Sequence, residues 1–117
     1  MAEEITVSCI GCGSMGGAIV RSICKKYNPK NVTVSAKHFE HAQAIAQETG
    51  CNAADTNAKA AAAAKYVFLA VKPMYVPEVM KEIGNSLRDD AVVISMAAGV
   101  PLLKLNNMVD AYMVRIM

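Results

Sequence analysis

The stretch IGCGSMGGAI, residues 10–19, decides the fold of this 117-residue chain. Within it, residues 11–16 have glycine at the first, third and sixth positions. The segment before it, residues 5–10, is a nearly continuous run of apolar and β-branched side chains, typical of a strand buried on both faces. After Ser14 the apolar residues recur at helical spacing, with Met15, Ile19 and Ile23 on one face and Val20 and Tyr27 beside it. The glycine-rich segment is therefore predicted to be a turn between a strand and a helix.

Each glycine of this turn has a physical task if the turn binds a dinucleotide. Gly11 permits the tight turn, Gly13 lets a pyrophosphate approach the backbone, and Gly16 lets the helix pack on the strand. The pyrophosphate would then meet free N–H groups at the N-terminus of the helix. The turn therefore predicts a nicotinamide-dinucleotide-binding domain, and the alternative is a glycine-rich turn that binds nothing.

The rest of the chain alternates apolar segments with segments of helical periodicity. Asn28-Pro29 ends the first helix. Further strands are predicted over residues 31–35, 51–54, 66–71, 91–95 and 112–116. Further helices are predicted over residues 39–49 with Gly50 as the stop, through the alanine run 60–64 with Asp55 or Thr56 as the cap, over 76–87 and over 101–105. This alternation predicts one α/β domain over residues 1–117, with a doubly wound, mostly parallel sheet of the Rossmann type.

Composition and charge indicate which partners to expect. Hydrophobic residues make up 54% of the chain, which suits a packed core, and the net charge of +2 gives no argument for nucleic acid binding. No apolar run approaches the roughly 20 residues that a membrane-spanning helix needs. The N-terminus reads Met-Ala-Glu-Glu, without the pattern of a signal peptide. We therefore expect a cytoplasmic protein with no nucleic acid or membrane partner.

Four cysteines, at positions 9, 12, 24 and 51, raise a redox or metal-binding hypothesis. Cys9 and Cys12 have the CxxC spacing, but a redox motif of that kind would lie at the start of a helix. Here Cys9 falls within the predicted strand and Cys12 lies between two glycines of the turn. A second pair that could complete a zinc site does not occur in the sequence. The cysteines are therefore predicted to be reduced and buried, with no metal site.

The end of the second strand bears on the choice of cofactor. An acidic residue there, roughly 20 residues past the glycines, would bind the ribose hydroxyls and repel a 2′-phosphate. The sequence instead reads Ser35-Ala36-Lys37-His38, and the first acid is Glu40. NADP(H) is therefore favoured over NAD(H). The alternative is that Lys37 and His38 are solvated loop residues.

Two more loops lie where ligands bind in open α/β sheets, at the carboxyl ends of predicted strands. One is residues 70–73, with the sequence AVKP, and the other is residues 95–100, with the sequence SMAAGV. The small side chains of the second loop would let a flat nicotinamide ring lie close to the backbone. Either loop alone could be an ordinary connection between a strand and a helix.

Taken together, IGCGSMGGAI at 10–19, FLAVKP at 68–73 and SMAAGV at 95–100 closely resemble Δ1-pyrroline-5-carboxylate reductase. The resemblance extends over essentially the whole chain and includes residues 114–117, after which a Pro-Asn-Thr-Pro stretch typically follows in that family. It implies reduction of the cyclic imine pyrroline-5-carboxylate to proline with NADPH or NADH. It also implies a C-terminal helical domain, absent from this chain, that contributes to the substrate pocket and builds a homo-oligomer.

The resemblance also implies the residues that bind the cofactor. These would be Ile10, Gly11, Cys12, Gly13, Ser14, Met15 and Gly16 at the turn, Lys37 and His38 by the adenosine ribose, Asn57, and Ala70, Val71, Lys72, Pro73, Met96, Ala97 and Ala98 near the ribose and nicotinamide. No catalytic residue is assigned, because neither His38 nor His41 has a carboxylate partner at an informative spacing. The 117 residues alone are expected to bind a dinucleotide weakly and to turn over nothing.

Two alternatives stay open. One is another imine, keto-acid or deazaflavin-linked reductase with a similar N-terminal domain. The Val-Lys-Pro and Ala-Ala-Gly loops make this alternative less favoured, since such relatives usually vary there. The other is a non-catalytic dinucleotide-binding module that naturally ends near Met117.

Overall fold

The computed structural model describes residues 5–11, 14–95 and 112–115. Within them lie strands β1 (Val7–Ile10), β2 (Val32–Ser35), β3 (Asn52–Ala53), β4 (Tyr66–Leu69), β5 (Val92–Ser95) and β6 (Tyr112–Arg115), and helices α1 (Ser14–Lys26), α2 (Phe39–Thr49), α3 (Asn57–Ala62) and α4 (Val76–Ile83). The sheet order is β3-β2-β1-β4-β5-β6, and each neighbouring pair is parallel. The predicted α/β fold is confirmed, with a wholly parallel sheet in the described part.

Helices cover the sheet on both faces. On one face, Val20 of α1 and Ala42 of α2 pack against a cluster that includes Cys9 of β1. On the other face, Ala60 of α3 and Met80 of α4 pack against a cluster that includes residues of β1, β4 and β5. Because β1 lies between the two layers, all its side chains are buried. This explains why Val7, Cys9 and Ile10 are all apolar, and the one polar residue of β1, Ser8, is buried as well.

The strands are shorter than the sequence predicted. The first was expected over residues 5–10 and spans Val7–Ile10, and the fourth was expected over 66–71 and spans Tyr66–Leu69. Beyond β4 the backbone N–H of Ala70 still donates to the carbonyl of Ile10, at 2.8 Å. The chain then turns into a 3₁₀ segment, Pro73–Tyr75. Apolar sequence therefore continues past the point where strand pairing stops.

The helix ends follow their predicted signals more closely. Helix α2 has the predicted bounds, and Gly50 ends it with a φ of +83°. Thr56, and not Asp55, caps α3, since its hydroxyl oxygen accepts a hydrogen bond from the backbone N–H of Lys59 at 3.1 Å. Helix α3 ends at Ala62, so the alanine run is helical only in part. Helix α4 ends at Ile83, before Leu87. The predicted helix over 101–105 lies outside the described residues.

The buried face of α1 differs from the predicted one. Ile19 and Ile23 were expected to line it, with Val20 and Tyr27 beside them. In the structure Val20 is fully buried, Ile19 and Ile23 are partly buried, and Tyr27 is 46% exposed. The reason is that Gly16 and Gly17 are buried too. Glycine lets the helix backbone approach the sheet closely, which turns the Gly16–Val20 side inward.

An apolar groove of about 240 Å³ lies on the α1 side of the sheet. It is lined by Ile5, Val7, Ile23, Tyr27, Tyr66, Phe68 and Ile94. These side chains offer almost no polar groups, so the groove does not suit a phosphate.

Among the helices that the structure describes, none has the length and apolar character needed to cross a membrane.

Candidate functional site

The carboxyl ends of β2, β1 and β4 lie side by side, with β1 in the middle. The backbone N–H of Gly11, just after β1, donates to the carbonyl of Ser35 at the end of β2, at 2.9 Å. On the other side, Ala70 after β4 donates to Ile10. The connection after β1 leads to β2 and the connection after β4 leads to β5, in opposite halves of the sheet. A crevice therefore lies between the carboxyl ends of β1 and β4, and ligands bind at such a crevice in open α/β sheets.

Gly11 adopts a backbone conformation that requires glycine. Its φ is +92°, in the left-handed region. A Cβ atom at this position would lie 2.7 Å from Cγ1 of Val71 and 3.0 Å from the carbonyl carbon of Ala70. Both the conformation and the close approach of the segment after β4 therefore exclude a larger residue.

Gly16 brings helix α1 directly against the same turn. A Cβ atom on Gly16 would collide with the carbonyl oxygen of Gly11 and would lie 3.3 Å from Cβ of Ala70. Beneath it, the thiol of Cys9 contacts the carbonyl oxygen of Gly16, with 3.8 Å between the sulfur and oxygen atoms. The N-terminal backbone of α1 is thus held at the end of β1.

Part of the predicted site cannot be placed. Cys12, Gly13, Met96, Ala97 and Ala98 lie outside the described residues. Ser14 and Met15 are described as backbone in the first turn of α1. Asn57 begins α3, after β3. The other predicted residues lie at the carboxyl ends of β1, β2 and β4 or at the start of the helical segment that follows each strand: Ile10, Gly11, Gly16, Lys37, His38, Ala70, Val71, Lys72 and Pro73.

Asn57, which the resemblance alone pointed out, is hydrogen-bonded to the end of β2. The hydroxyl of Ser35 donates to Oδ1 of Asn57 at 2.7 Å. Ser35 is 1% exposed, whereas Asn57 is partly exposed at the start of α3. Ser35 was not among the residues predicted for the site. The available signal was a polar residue ending an otherwise apolar strand beside the glycine turn.

Lys37 lies over an aromatic ring from another part of the chain. Its ammonium nitrogen is 5.5 Å from the ring centroid of Tyr75, within the range of a cation–π contact. Tyr75 ends the 3₁₀ segment after β4 and is 40% exposed. Because β1 lies between β2 and β4, this contact crosses the end of β1. Tyr75 was not predicted either, although an aromatic side chain two residues after Pro73 was a visible signal.

Lys72 and Pro73 shape the loop that faces the glycine turn. Lys72 is exposed, and its carbonyl accepts a hydrogen bond from the N–H of Tyr75 at 2.9 Å. Pro73 begins the 3₁₀ segment, where its fixed φ and missing N–H are tolerated. Val71, half-buried, packs toward Gly11. This loop therefore gives the crevice a fixed wall on the β4 side.

The histidines near the crevice contact each other. The rings of His38 and His41 form an edge-to-face pair with centroids 5.7 Å apart. Within the described part of the chain neither ring has a hydrogen bond or ion pair with a carboxylate. Groups of three or more side chains that could hold a metal ion are also absent from the described residues.

The cysteines with described side chains are reduced and not in disulfides. Cys9 and Cys51 are buried, as predicted, but Cys24 is only partly buried, so the prediction was wrong for this residue. Cys24 lies near the C-terminus of α1, beyond the segment that contacts the sheet most closely. Burial raises the pKa of the Cys51 thiol. A raised pKa and low exposure disfavour the reactive thiolate.

These features fit a dinucleotide. Gly11 lets the segment after β4 pack closely against the turn, and α1 is a helix of 13 residues whose N-terminal backbone adjoins the turn. An anion at such a helix end is stabilised by unpaired N–H groups and by the helix dipole. Asn57 and Lys37 add polar and positively charged groups on the β2 side. The arrangement can hold a phosphate-containing ligand across the end of β1.

The comparisons with known proteins agree with this geometry. The family model described as NADP oxidoreductase, coenzyme F420-dependent, matches residues 6–99. Pyrroline-5-carboxylate reductase 3 of Danio rerio is 30% identical over 97% of this chain and 41% of its own length. The pyrroline-5-carboxylate reductase of Escherichia coli is 36% identical over 85% of this chain and 38% of its own length. The resemblance to this reductase family is therefore confirmed.

A solved structure supports the same relationship. The pyrroline-5-carboxylate reductase of Coxiella burnetii has a TM-score of 0.91 and 26% sequence identity, covering 98% of this chain and 44% of that chain. The chain spans about 40% of the length of the curated relatives that it matches. The similarity thus covers nearly all of this chain but less than half of each relative.

Proposed function

Because this chain belongs to the family described as NADP oxidoreductase, coenzyme F420-dependent, we propose that it is the cofactor-binding domain of a pyrroline-5-carboxylate reductase. The observation that carries this proposal is the crevice at the end of β1, where Gly11 excludes a side chain and Ser35, Asn57 and Lys37 gather beside it. When bound there, the nicotinamide cofactor supplies the hydride for reduction of a small cyclic imine.

The residues of this chain bind and orient the cofactor in this proposal. The backbone at Gly11 and the start of α1 hold the pyrophosphate, and Asn57 donates hydrogen bonds to cofactor oxygen atoms. The wall formed by Ala70, Val71 and Pro73 limits the position of the cofactor on the β4 side. The cofactor carries the redox chemistry, so the contribution of this domain is position and electrostatics.

We also propose that the cofactor is NADP(H) rather than NAD(H). Lys37 places a positive charge beside the end of β2, where an acidic residue would repel a 2′-phosphate. The first acid after β2 is Glu40, in the first turn of α2. A lysine can bind the phosphate as a compact charge with three donors.

Titration of the chain with NADPH and NADH tests both proposals. We expect saturable binding of both, with tighter binding of NADPH. Lys37→Asp should weaken NADPH binding about tenfold or more, because it replaces a charge-assisted contact by repulsion. It should leave NADH binding nearly unchanged. Lys30→Asp, at an exposed lysine in the 3₁₀ segment Pro29–Asn31 before β2, is the matched control. Equal affinities, unaffected by Lys37→Asp, would overturn the proposed preference.

The family description also names coenzyme F420, so a deazaflavin-linked reductase is the second candidate. The two candidates share the nicotinamide site and differ in the partner of hydride transfer. We propose the imine because the curated relatives matched over most of this chain are pyrroline-5-carboxylate reductases. The longest natural protein that contains this chain should oxidise NADPH with pyrroline-5-carboxylate and form proline. Oxidation with a deazaflavin but not with the imine would favour the second candidate.

A further inference from the structure

We infer that Ser35 is a positioning residue, whose hydroxyl orients the amide of Asn57 so that its N–H groups are available to the dinucleotide. This inference rests on the proposed function, since it concerns the same crevice. It assigns a positioning role to an uncharged residue at the end of β2.

Ser35 links two parts of the crevice through different atoms. Its carbonyl accepts the N–H of Gly11 at 2.9 Å, and its hydroxyl donates to Oδ1 of Asn57 at 2.7 Å. Ser35 and Asn57 are 22 positions apart in the chain. The glycine turn and the start of α3 are thus fixed relative to each other by one residue of β2.

The direction of the hydrogen bond decides which atoms of Asn57 remain available. A side-chain amide has an acceptor oxygen and an NH₂ group with two donors. Since the Ser35 hydroxyl donates to Oδ1, both donors of Nδ2 remain, and Nδ2 has no hydrogen-bond partner among the residues that the structure describes. A dinucleotide presents mainly acceptor oxygens on its phosphates and riboses. The amide of Asn57 is therefore held with its NH₂ group available to the dinucleotide.

Burial makes this orientation effective. Ser35 is 1% exposed, so water has little access to replace its hydroxyl as the partner of Oδ1. Without that partner the Asn57 amide could rotate and present its oxygen to the ligand. Part of the binding free energy would then go to ordering the amide, and preorganised groups avoid this cost.

A second buried serine provides a matched control. Ser8 in β1 is fully buried, and its hydroxyl has no hydrogen-bond partner among the described residues. Ser8→Ala therefore removes the same hydroxyl group from the same sheet without removing a contact to Asn57. Ser35→Thr keeps the hydroxyl and is the conservative variant.

The experiment measures NADPH affinity by fluorescence titration and stability by thermal unfolding, for each variant. Ser35→Ala should weaken binding about threefold to tenfold, the effect of losing one ordered hydrogen bond. Ser8→Ala should leave affinity unchanged, and Ser35→Thr should restore most of it. In an Asn57→Ala background, Ser35→Ala should cause no further loss, because the two residues act as a unit.

The outcomes separate this inference from the proposed function. If the unaltered chain binds neither NADPH nor NADH, the proposed function fails. If it binds but Ser35→Ala has no effect, or has the same effect in the Asn57→Ala background, the positioning role is wrong. If Ser35→Ala does not fold, Asn57→Asp replaces it, since a carboxylate accepts from Ser35 but has no donors. Asn57→Asp should retain stability and lose NADPH affinity, and unchanged affinity would overturn the inference.

Discussion

Gly11 and Gly50 are both glycines with positive φ, but their surroundings differ. The φ angles are +92° and +83°. A Cβ atom on Gly11 would overlap Val71, whereas on Gly50 its nearest neighbour would be Cβ of Pro29, at an ordinary 3.7 Å. Backbone strain is therefore common to both positions, and crowding belongs to Gly11 alone. Comparing substitutions at Gly11 and Gly50 therefore separates the effect of crowding from the effect of backbone strain.

Gly11→Ala should destabilise the chain by about 2–5 kcal/mol, the sum of left-handed backbone strain and forced overpacking. It should also abolish measurable NADPH binding, because the turn must shift away from the segment after β4. Gly50→Ala should cost about 1–2 kcal/mol and leave NADPH binding intact. Chemical denaturation and NADPH titration measure the two effects. Equal losses of stability in both variants would contradict the crowding that the structure shows at Gly11.

Single residues differ in how far the sequence could predict their role. The glycines and Lys37 follow strands directly along the chain, so a local pattern was enough to single them out. The contacts of Ser35 with Asn57 and of Lys37 with Tyr75 join elements that are distant in the sequence. They depend on the sheet order, which sets β1 between β2 and β4. No local pattern contains that order.

Elements were predicted well where a chemical signal marks their end. Gly50 ends α2 at the predicted residue because glycine accepts the left-handed conformation. The start of β1 and the end of β4 carried no such signal, because Ile5 before β1 and Ala70 and Val71 after β4 extend the apolar pattern beyond the paired strands. The prediction of which residues of α1 face the sheet was wrong for a related reason. Glycines contribute nothing to an apolar pattern, although they allow the closest packing.

Helices α1 and α2 are joined by an ion pair between Arg21 and Glu48. The two side chains are 45% and 53% exposed, so solvent and salt weaken the interaction. The hydrogen bond from Arg21 lowers the pKa of Glu48. A carboxylate with a lowered pKa stabilises the folded state at neutral pH. This contribution is lost as the pH falls through the acidic range in which Glu48 becomes protonated.

Arg21→Met should therefore lower the melting temperature slightly at pH 7, and the difference from the unaltered chain should vanish at acidic pH. High salt should shrink it as well. Thermal unfolding as a function of pH measures this. Lys25→Met is the control, because Lys25 is an exposed lysine of the same helix without an ion pair in the described part of the chain. Identical pH profiles for the two variants would show that the ion pair contributes nothing.

At the scale of the whole molecule, the packed core and the candidate binding groups lie in different places. The two apolar clusters fill the space between the sheet and the helices, whereas the candidate binding groups lie at the carboxyl ends of the strands. At the opposite end, Arg88 bonds both carboxylate oxygens of Asp90 and contacts the hydroxyl of Thr6, at 3.4 Å. That cluster ties the strand starts together. Substitutions in this cluster are expected to lower the stability of the chain and to leave cofactor binding unchanged.

The same separation leads to a prediction for the chain as a whole. Because a ligand that binds only the folded state stabilises it, NADPH at about a hundred times its Kd should add about 2.7 kcal/mol of stability. For a domain of this size that corresponds to a rise of roughly 10 °C in melting temperature. The chain alone should nevertheless form no proline from pyrroline-5-carboxylate. In the proposed function the groups at the crevice bind and orient the cofactor, and the chain spans about 40% of the length of its curated relatives.

Thermal unfolding with and without NADPH, beside a proline assay of the same sample, tests both parts of this prediction. Gly11→Ala serves as the control, since it should remove the stabilisation by NADPH. A chain that is stabilised and inactive is a cofactor-binding domain that depends on further residues for the imine. Imine-dependent oxidation of NADPH by the 117 residues would contradict that conclusion, because the residues at hand would then complete the reaction. Absence of any stabilisation by NADPH would instead contradict the proposed cofactor site.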